Sequence, residues 1–140
     1  MPFRVQTVDI ANGDQKKPEY LELNPSGKVP TVTDGEVVVS ENPAICLYLA
    51  DRYGYGSLAP RIEEADRGPY LKWMVYSTAV LEPLLMLHDK HIDLPGRETG
   101  FGGYEDVIGV LTGSLKDRQY LLGDRFSAAD VMLGSVISTS

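Results

Sequence analysis

The sequence predicts an α+β domain over residues 1–54, a connection over residues 55–61 and an all-α domain over residues 62–140. Three observations carry this. Two apolar, β-branched runs flank Asp34-Gly35, a pair suited to a tight turn between antiparallel strands. The stretch "GYGSLAP", residues 54–60, has the glycine, serine and proline of a connecting segment. Beyond it apolar residues recur at helical spacing and no run reads as a strand.

The first predicted element is a strand over residues 3–10, where valine and isoleucine are frequent. Asn12-Gly13-Asp14 breaks it. Pro18 then occupies a position that the first turn of a helix tolerates, and "PEYLELN" gives a short helix ended by Asn24-Pro25-Ser26-Gly27. The hairpin follows, residues 29–33 and 36–40 around Asp34-Gly35. Asn42 and Pro43 predict a helix start, with a side-chain acceptor at the cap and a proline whose missing N–H is harmless there. That helix runs on through Ile45, Tyr48 and Leu49 to Tyr53-Gly54.

After the connection, Leu71, Met74, Val75, Thr78, Ala79 and Glu82 keep a helical period from Glu63 onward. Tyr70, Trp73 and Leu84 add apolar surface on neighbouring faces, so the helix is expected to be buried on more than one side. Pro83 is expected to kink it, because proline removes a backbone donor and clashes with the preceding turn. A long loop, "DLPGRETGFGG", precedes a further helix marked by Tyr104, Val107, Ile108, Leu111 and Leu115. Near the end, Ser127-Ala-Ala-Asp130 resembles a capping box, with Phe126 and Val131 at the staple positions.

Composition narrows the function. A hydrophobic content of 43% with 24% charged residues suits a soluble globular chain. Thirteen basic against twenty acidic side chains leave a net charge of −7, and Lys16-Lys17 is too short a run to bind nucleic acid. No stretch approaches the ~20 apolar residues of a membrane span, and the start lacks the layout of a signal peptide. A single cysteine excludes an internal disulfide, and the cytoplasm is the expected compartment. Cys46 lies between Ile45 and Leu47 within a helix, where a thiol behaves as a small hydrophobe rather than a nucleophile. His88 and His91 share a helical spacing without an acid at ligand distance, so no metal site is expected. Trp73 and the neighbouring tyrosines are expected in the core or at a subunit interface.

"NPSGKVPTVTDGEVVVSENPAICLYLADRY" closely resembles the glutathione-binding half of the glutathione transferases. "WMVYSTAVLEPLL" is similar to the first long helix of their helical domain, in a form found in bacterial members, and "YLLGDRFSAADVMLGSVI" to the capped helix in its core. The resemblance implies a thioredoxin-like domain followed by an all-α glutathione-transferase domain. It also implies that the family's first strand and first helix, with the Ser, Cys or Tyr that activates the thiol, are missing, as are the tail helices. The chain is thus expected to be truncated at both ends, its catalytic residue unknown.

For the ligand, the resemblance implies glutathione as co-substrate and no metal. Val29 would pair with the cysteinyl backbone beside a cis Pro30. Lys28 would meet the glycyl carboxylate, while Glu41 and Asn42 would hold the γ-glutamyl end, although the family usually has serine where Asn42 stands. The implied activity is conjugation of the glutathione thiol to small electrophiles, a detoxification chemistry, by a cytoplasmic homodimer that binds neither nucleic acid nor membrane. Two alternatives stay open: a non-catalytic binding or protein-interaction module on the same fold, and a truncated gene product without activity.

Overall fold

The computed structural model describes residues 2–139. Its first residues depart from the sequence-based expectation. Residues 2–9 form no strand, and Phe3 and Val5 are 76% and 82% exposed. β-Branched composition states only that a segment suits a pleated, half-buried surface; a strand needs a neighbour to complete its hydrogen-bond ladder. Among the described residues none lies beside this one. The chain instead closes a turn in which Asp9 N–H donates to Asp14 Oδ2 at 3.0 Å and Asn12 Nδ2 donates to Asp9 Oδ2 at 2.6 Å. Gly13, at φ 77°, lets that turn lead into a 3-10 turn, Asp14–Lys16.

Helix α1, Pro18–Leu23, forms where proline marks its start. The hairpin pairs β1, Thr31–Asp34, with β2, Val37–Ser40, in antiparallel register from Thr31↔Ser40 to Asp34↔Val37. The turn residues are therefore Gly35 and Glu36, one position later than Asp34-Gly35 suggests. Only Gly35 has positive φ, as in a type II′ turn, so the glycine rather than the aspartate supplies the unusual conformation.

Helix α2, Asn42–Tyr53, follows at once. Its cap is Glu41, whose carbonyl accepts from Ile45 N–H at 2.9 Å; Asn42 is the first helical residue and makes no capping bond. The sequence favours asparagine as the cap because its side chain is a good acceptor there, but the backbone turns one residue earlier.

In the second half, α3 spans Arg67–Tyr76, a π-helical turn Ser77–Leu81, and α4 Glu82–Asp89. The expected start at Glu63 falls in turns instead, where Glu64 N–H and Arg67 N–H close tight loops onto Arg61 O and Glu64 O. The kink expected at Pro83 takes the form of the π turn. Glu82 N–H reaches back to Ser77 O, and the widened turn relieves the crowding a proline imposes on a regular helix. The buried face also differs: Tyr70, Trp73, Met74, Ser77, Leu81 and Leu84 point inward, whereas Leu71 and Val75 are 40% and 59% exposed. Trp73 is core, its ring edge-on to Tyr76 at 5.2 Å. The expected loop 93–103 holds a short helix α5, Gly96–Thr99.

Helices α6, Tyr104–Leu115, and α7, Ala128–Thr139, complete the fold. The box before α7 is real. Asp130 Oδ2 accepts from Ser127 N–H at 2.9 Å, and Ser127 Oγ accepts from Ala129 N–H at 3.3 Å, two residues on rather than three. Ser127 Oγ also donates to Asp130 Oδ2 at 3.1 Å, and Asp130 Oδ1 takes a third donor, Leu121 N–H at 2.8 Å, and so anchors the loop before the helix. Ala129, Met132 and Val136 of α7 pack against Tyr70, Met74 and Leu81 to form the core. Ala50 of α2 and Ala59 of the connecting segment belong to the same cluster, so the core runs across both halves.

Candidate functional site

The loop that leads into β1 is built by two side chains. Asn24, at the end of α1, is buried; its Oδ1 accepts from Ser26 N–H at 3.1 Å and its carbonyl from Gly27 N–H at 2.9 Å. Gly27, at φ 58°, completes that turn. The amide of Asn24 then donates to Lys28 O at 2.8 Å, and the Tyr20 hydroxyl donates to the same oxygen at 2.7 Å. Thr31 Oγ1 lies 2.8 Å from the Tyr20 hydroxyl and 3.3 Å from Asn24 Nδ2. Lys28 and Thr31, the residues on either side of Val29-Pro30, are thus fastened to α1.

The Val29–Pro30 peptide is cis. Val29 is exposed, and among the described residues its backbone N–H and C=O have no hydrogen-bond partner. The register explains what lies beside it. Thr31 opposes Ser40, so Val29-Pro30 at the start of one strand and Glu41-Asn42 at the end of the other emerge at the same end of the hairpin. Glu41 adopts φ 70° and ψ 120°, a conformation L-residues rarely hold and one that clusters at functional positions. It leaves the Glu41 side chain exposed at the mouth of α2, where the unpaired N–H groups of the first turn favour an anion.

Of the five residues that sequence reading singles out, Val29, Pro30, Glu41 and Asn42 are brought to one end of the hairpin. Lys28 joins them through its backbone, its side chain exposed. Asn42 is half-buried, and its Oδ1 lies 3.9 Å from Cys46 Sγ, a weak thiol donor. Burial pushes the Cys46 thiol up, away from the reactive thiolate. Sequence reading missed Tyr20 and Asn24, taking the second only as part of a helix stop. An asparagine opening an Asn-Pro-Ser-Gly turn is a signal for the Ser26 bond, but nothing local points to Lys28.

A second set of contacts fixes the hairpin to α2. Asp34 accepts from the Tyr53 hydroxyl at 2.6 Å and the Tyr48 hydroxyl at 2.9 Å, with Arg52 Nε at 2.7 Å. The Tyr53 hydroxyl, then that of Tyr48, and the charge of Arg52 hold its carboxyl below the usual range. Toward the helical half, Arg67 makes a two-pronged bond to Asp51, 2.6 Å and 3.0 Å, and a third to Pro60 O at 3.0 Å. Elsewhere His88 stacks on Tyr104 at 4.1 Å. Among the described residues no cluster of His, Cys, Asp or Glu could hold a metal, and no helix is long and apolar enough to cross a membrane.

The family model described as "Glutathione S-transferase, N-terminal domain" matches residues 1–52. Glutathione S-transferase F10 of Arabidopsis thaliana is 34% identical over 92% of this chain and 65% of its own length. Glutathione S-transferase 1 of Schizosaccharomyces pombe is 30% identical, over 94% of the chain and 62% of its own length. The chain therefore spans less than two thirds of these curated relatives. A glutathione transferase family member from Pseudomonas fluorescens, solved with two glutathione bound, superposes with a TM-score of 0.79 at 26% identity, over 99% of this chain and 66% of that one. Hairpin, helical half and relatives agree: a thioredoxin-like N-terminal domain precedes a helical C-terminal one, and the chain belongs to the glutathione S-transferase family.

Proposed function

We propose that the open end of the hairpin holds glutathione, and that the whole protein conjugates its thiol to small electrophiles. The observation that carries this is the register. It sets an unpaired backbone segment, Val29, beside an acid at a helix mouth, Glu41. An extended peptide can add to Val29 as a strand adds to a sheet edge, donating to its carbonyl and accepting from its N–H. The Glu41 carboxylate meets the α-ammonium of the γ-glutamyl group, and the first-turn N–H groups of α2, with Asn42, meet its α-carboxylate. Lys28 reaches the glycyl carboxylate. The relative from Pseudomonas fluorescens, with glutathione bound, supports the choice of ligand.

Conjugation needs the glutathione sulfur as thiolate, held by a nearby donor. Two hydroxyls flank Val29, those of Tyr20 and Thr31, and both are engaged at the Lys28 carbonyl or with each other. Cys46 is half-buried with its thiol pushed up. On this reading the chain by itself binds glutathione without activating the sulfur. Residues 1–54 form the glutathione-binding half, 55–61 the connection and 62–140 the helical half. A small electrophile as second substrate, a homodimeric assembly and a cytoplasmic location complete the proposal; all three rest on likeness to the family.

The test is calorimetric titration of the chain with reduced glutathione, before and after Glu41→Gln. That substitution removes the charge and keeps a side chain of equal size at the strained backbone position. Binding is expected to weaken by about 1–2 kcal/mol, the lower part of the range for charge-assisted bonds because Glu41 is exposed. Equal affinity in the two proteins would take Glu41 out of the site. Absence of binding by the unsubstituted chain would reject the site as a whole.

A further inference from the structure

We infer that Tyr20 and Asn24 are positioning residues that aim the Val29 N–H at the ligand, an inference that rests on the glutathione reading of this site. Its basis is the geometry of a single peptide unit. Lys28 C=O and Val29 N–H belong to the same trans peptide, the cis bond being the next one along. In a trans peptide these two groups point in opposite directions. Whatever fixes the direction of the carbonyl therefore fixes that of the N–H.

The Lys28 carbonyl is fixed twice, by the Tyr20 hydroxyl at 2.7 Å and the Asn24 amide at 2.8 Å. Both donors come from the α1 side of the loop, and Asn24 is buried among its own turn bonds to Ser26 and Gly27. Thr31 Oγ1 joins the same two side chains and holds the far side of Val29-Pro30. With its carbonyl tied inward, the peptide presents the Val29 N–H outward, at the end of the hairpin that carries Glu41. Neither side chain touches the ligand on this account; they act through the one backbone group between them. Before a peptide ligand can pair with Val29, the plane of this unit has to be set, and a loop that rotated freely would lose that ordering entropy on binding.

Tyr20→Phe removes the hydroxyl and keeps the ring. Asn24→Asp removes the amide donor and keeps the oxygen that accepts from Ser26. The experiment follows the Val29 amide signal of the 15N-labelled chain by NMR, titrated with reduced glutathione and separately with a γ-glutamyl amide that lacks the cysteinyl and glycyl residues. The expected result for Tyr20→Phe is a glutathione dissociation constant raised about three- to tenfold, the loss of one neutral hydrogen bond's worth of alignment. Affinity for the γ-glutamyl amide, which meets only Glu41 and α2, is expected to stay the same. Asn24→Asp is expected to show the same split between the two ligands.

Equal loss for both ligands would mean a merely structural role and overturn the inference. So would unaltered glutathione affinity in both variants. If the unsubstituted chain fails to bind glutathione, the site reading falls and this inference with it. That outcome is seen before any variant is made, so the two failures are distinct.

Discussion

Asp34 illustrates how one side chain couples two elements. Its carboxylate accepts two tyrosine hydroxyls from α2 and faces Arg52, so the end of β1 is fastened to the helix that follows the hairpin. These partners favour the charged form and lower its folded pKa below the unfolded value of about 3.9. A carboxyl depressed in this way contributes stability above the unfolded pKa and loses it as pH falls through the folded one. Asp34→Asn is therefore expected to melt below the unsubstituted chain near neutral pH, with the gap narrowing as pH drops below about 4. Thermal melts in a pH series check this; a gap that stays constant into acid would show that the charge of Asp34 is not what matters. Tyr70 shows the opposite influence. Burial first, and then the nearby charge of Asp51, push its phenol up to about 12, and its hydroxyl has no partner among the described residues.

At the scale of elements, the start of α7 is the strongest local device. Asp130 gathers Ser127 N–H, Ser127 Oγ and Leu121 N–H on one carboxylate. Asp130→Ala is expected to cost about 1.5–3 kcal/mol, the range for hydrogen bonds to a charged group, and Ser127→Ala about 1 kcal/mol, as for an ordinary cap. Chemical denaturation with an unchanged slope would measure both. The capping half of this device is legible in "SAAD" because it depends on residues three apart. Its bond to Leu121, nine residues away, leaves no local pattern. The same division runs through the chain. The hairpin, α1, α2, α6 and α7 were readable from period and punctuation. The strand expected over residues 3–10 was not confirmed, since propensity says nothing about the neighbour a strand requires. The ends of the candidate site came through as Val29-Pro30 and Glu41-Asn42, because proline and acid stand out. The positive φ of Glu41 and the Tyr20–Asn24 support come from the meeting of distant segments.

Across the whole molecule, the two halves meet through polar bonds laid over a shared core. Arg67 spans Asp51 of α2 and Pro60 of the connection, and Arg125 pairs with Glu64 across 61 positions of sequence. The connection itself is not a tether. Gly54 O accepts from Ser57, Leu58 and Ala59 N–H groups, Leu58 O receives Ala128 N–H at 2.9 Å, and Ala59 and Pro60 are buried. A segment whose composition suggests a pliable spacer is thus packed like the interior, and the consequence concerns its tolerance of added length. Insertions succeed where backbone is exposed and unbonded, and fail where its atoms are already spoken for. Two glycines added after Ser57 would have to unseat Ala59 and stretch the bond to Ala128, at about 3 kcal/mol or roughly 10 °C of melting temperature. The same two glycines after Gly100, in exposed backbone where even a side chain would meet nothing, give up only the bond from the Thr99 hydroxyl to Phe101 O and lengthen a loop, at a cost of about 1–2 kcal/mol. Melting curves of the two insertion variants compare them directly, and equal midpoints would mean that the connection yields after all. If they differ as expected, change of length in this chain is confined to the loop 93–103 rather than to the joint between its halves.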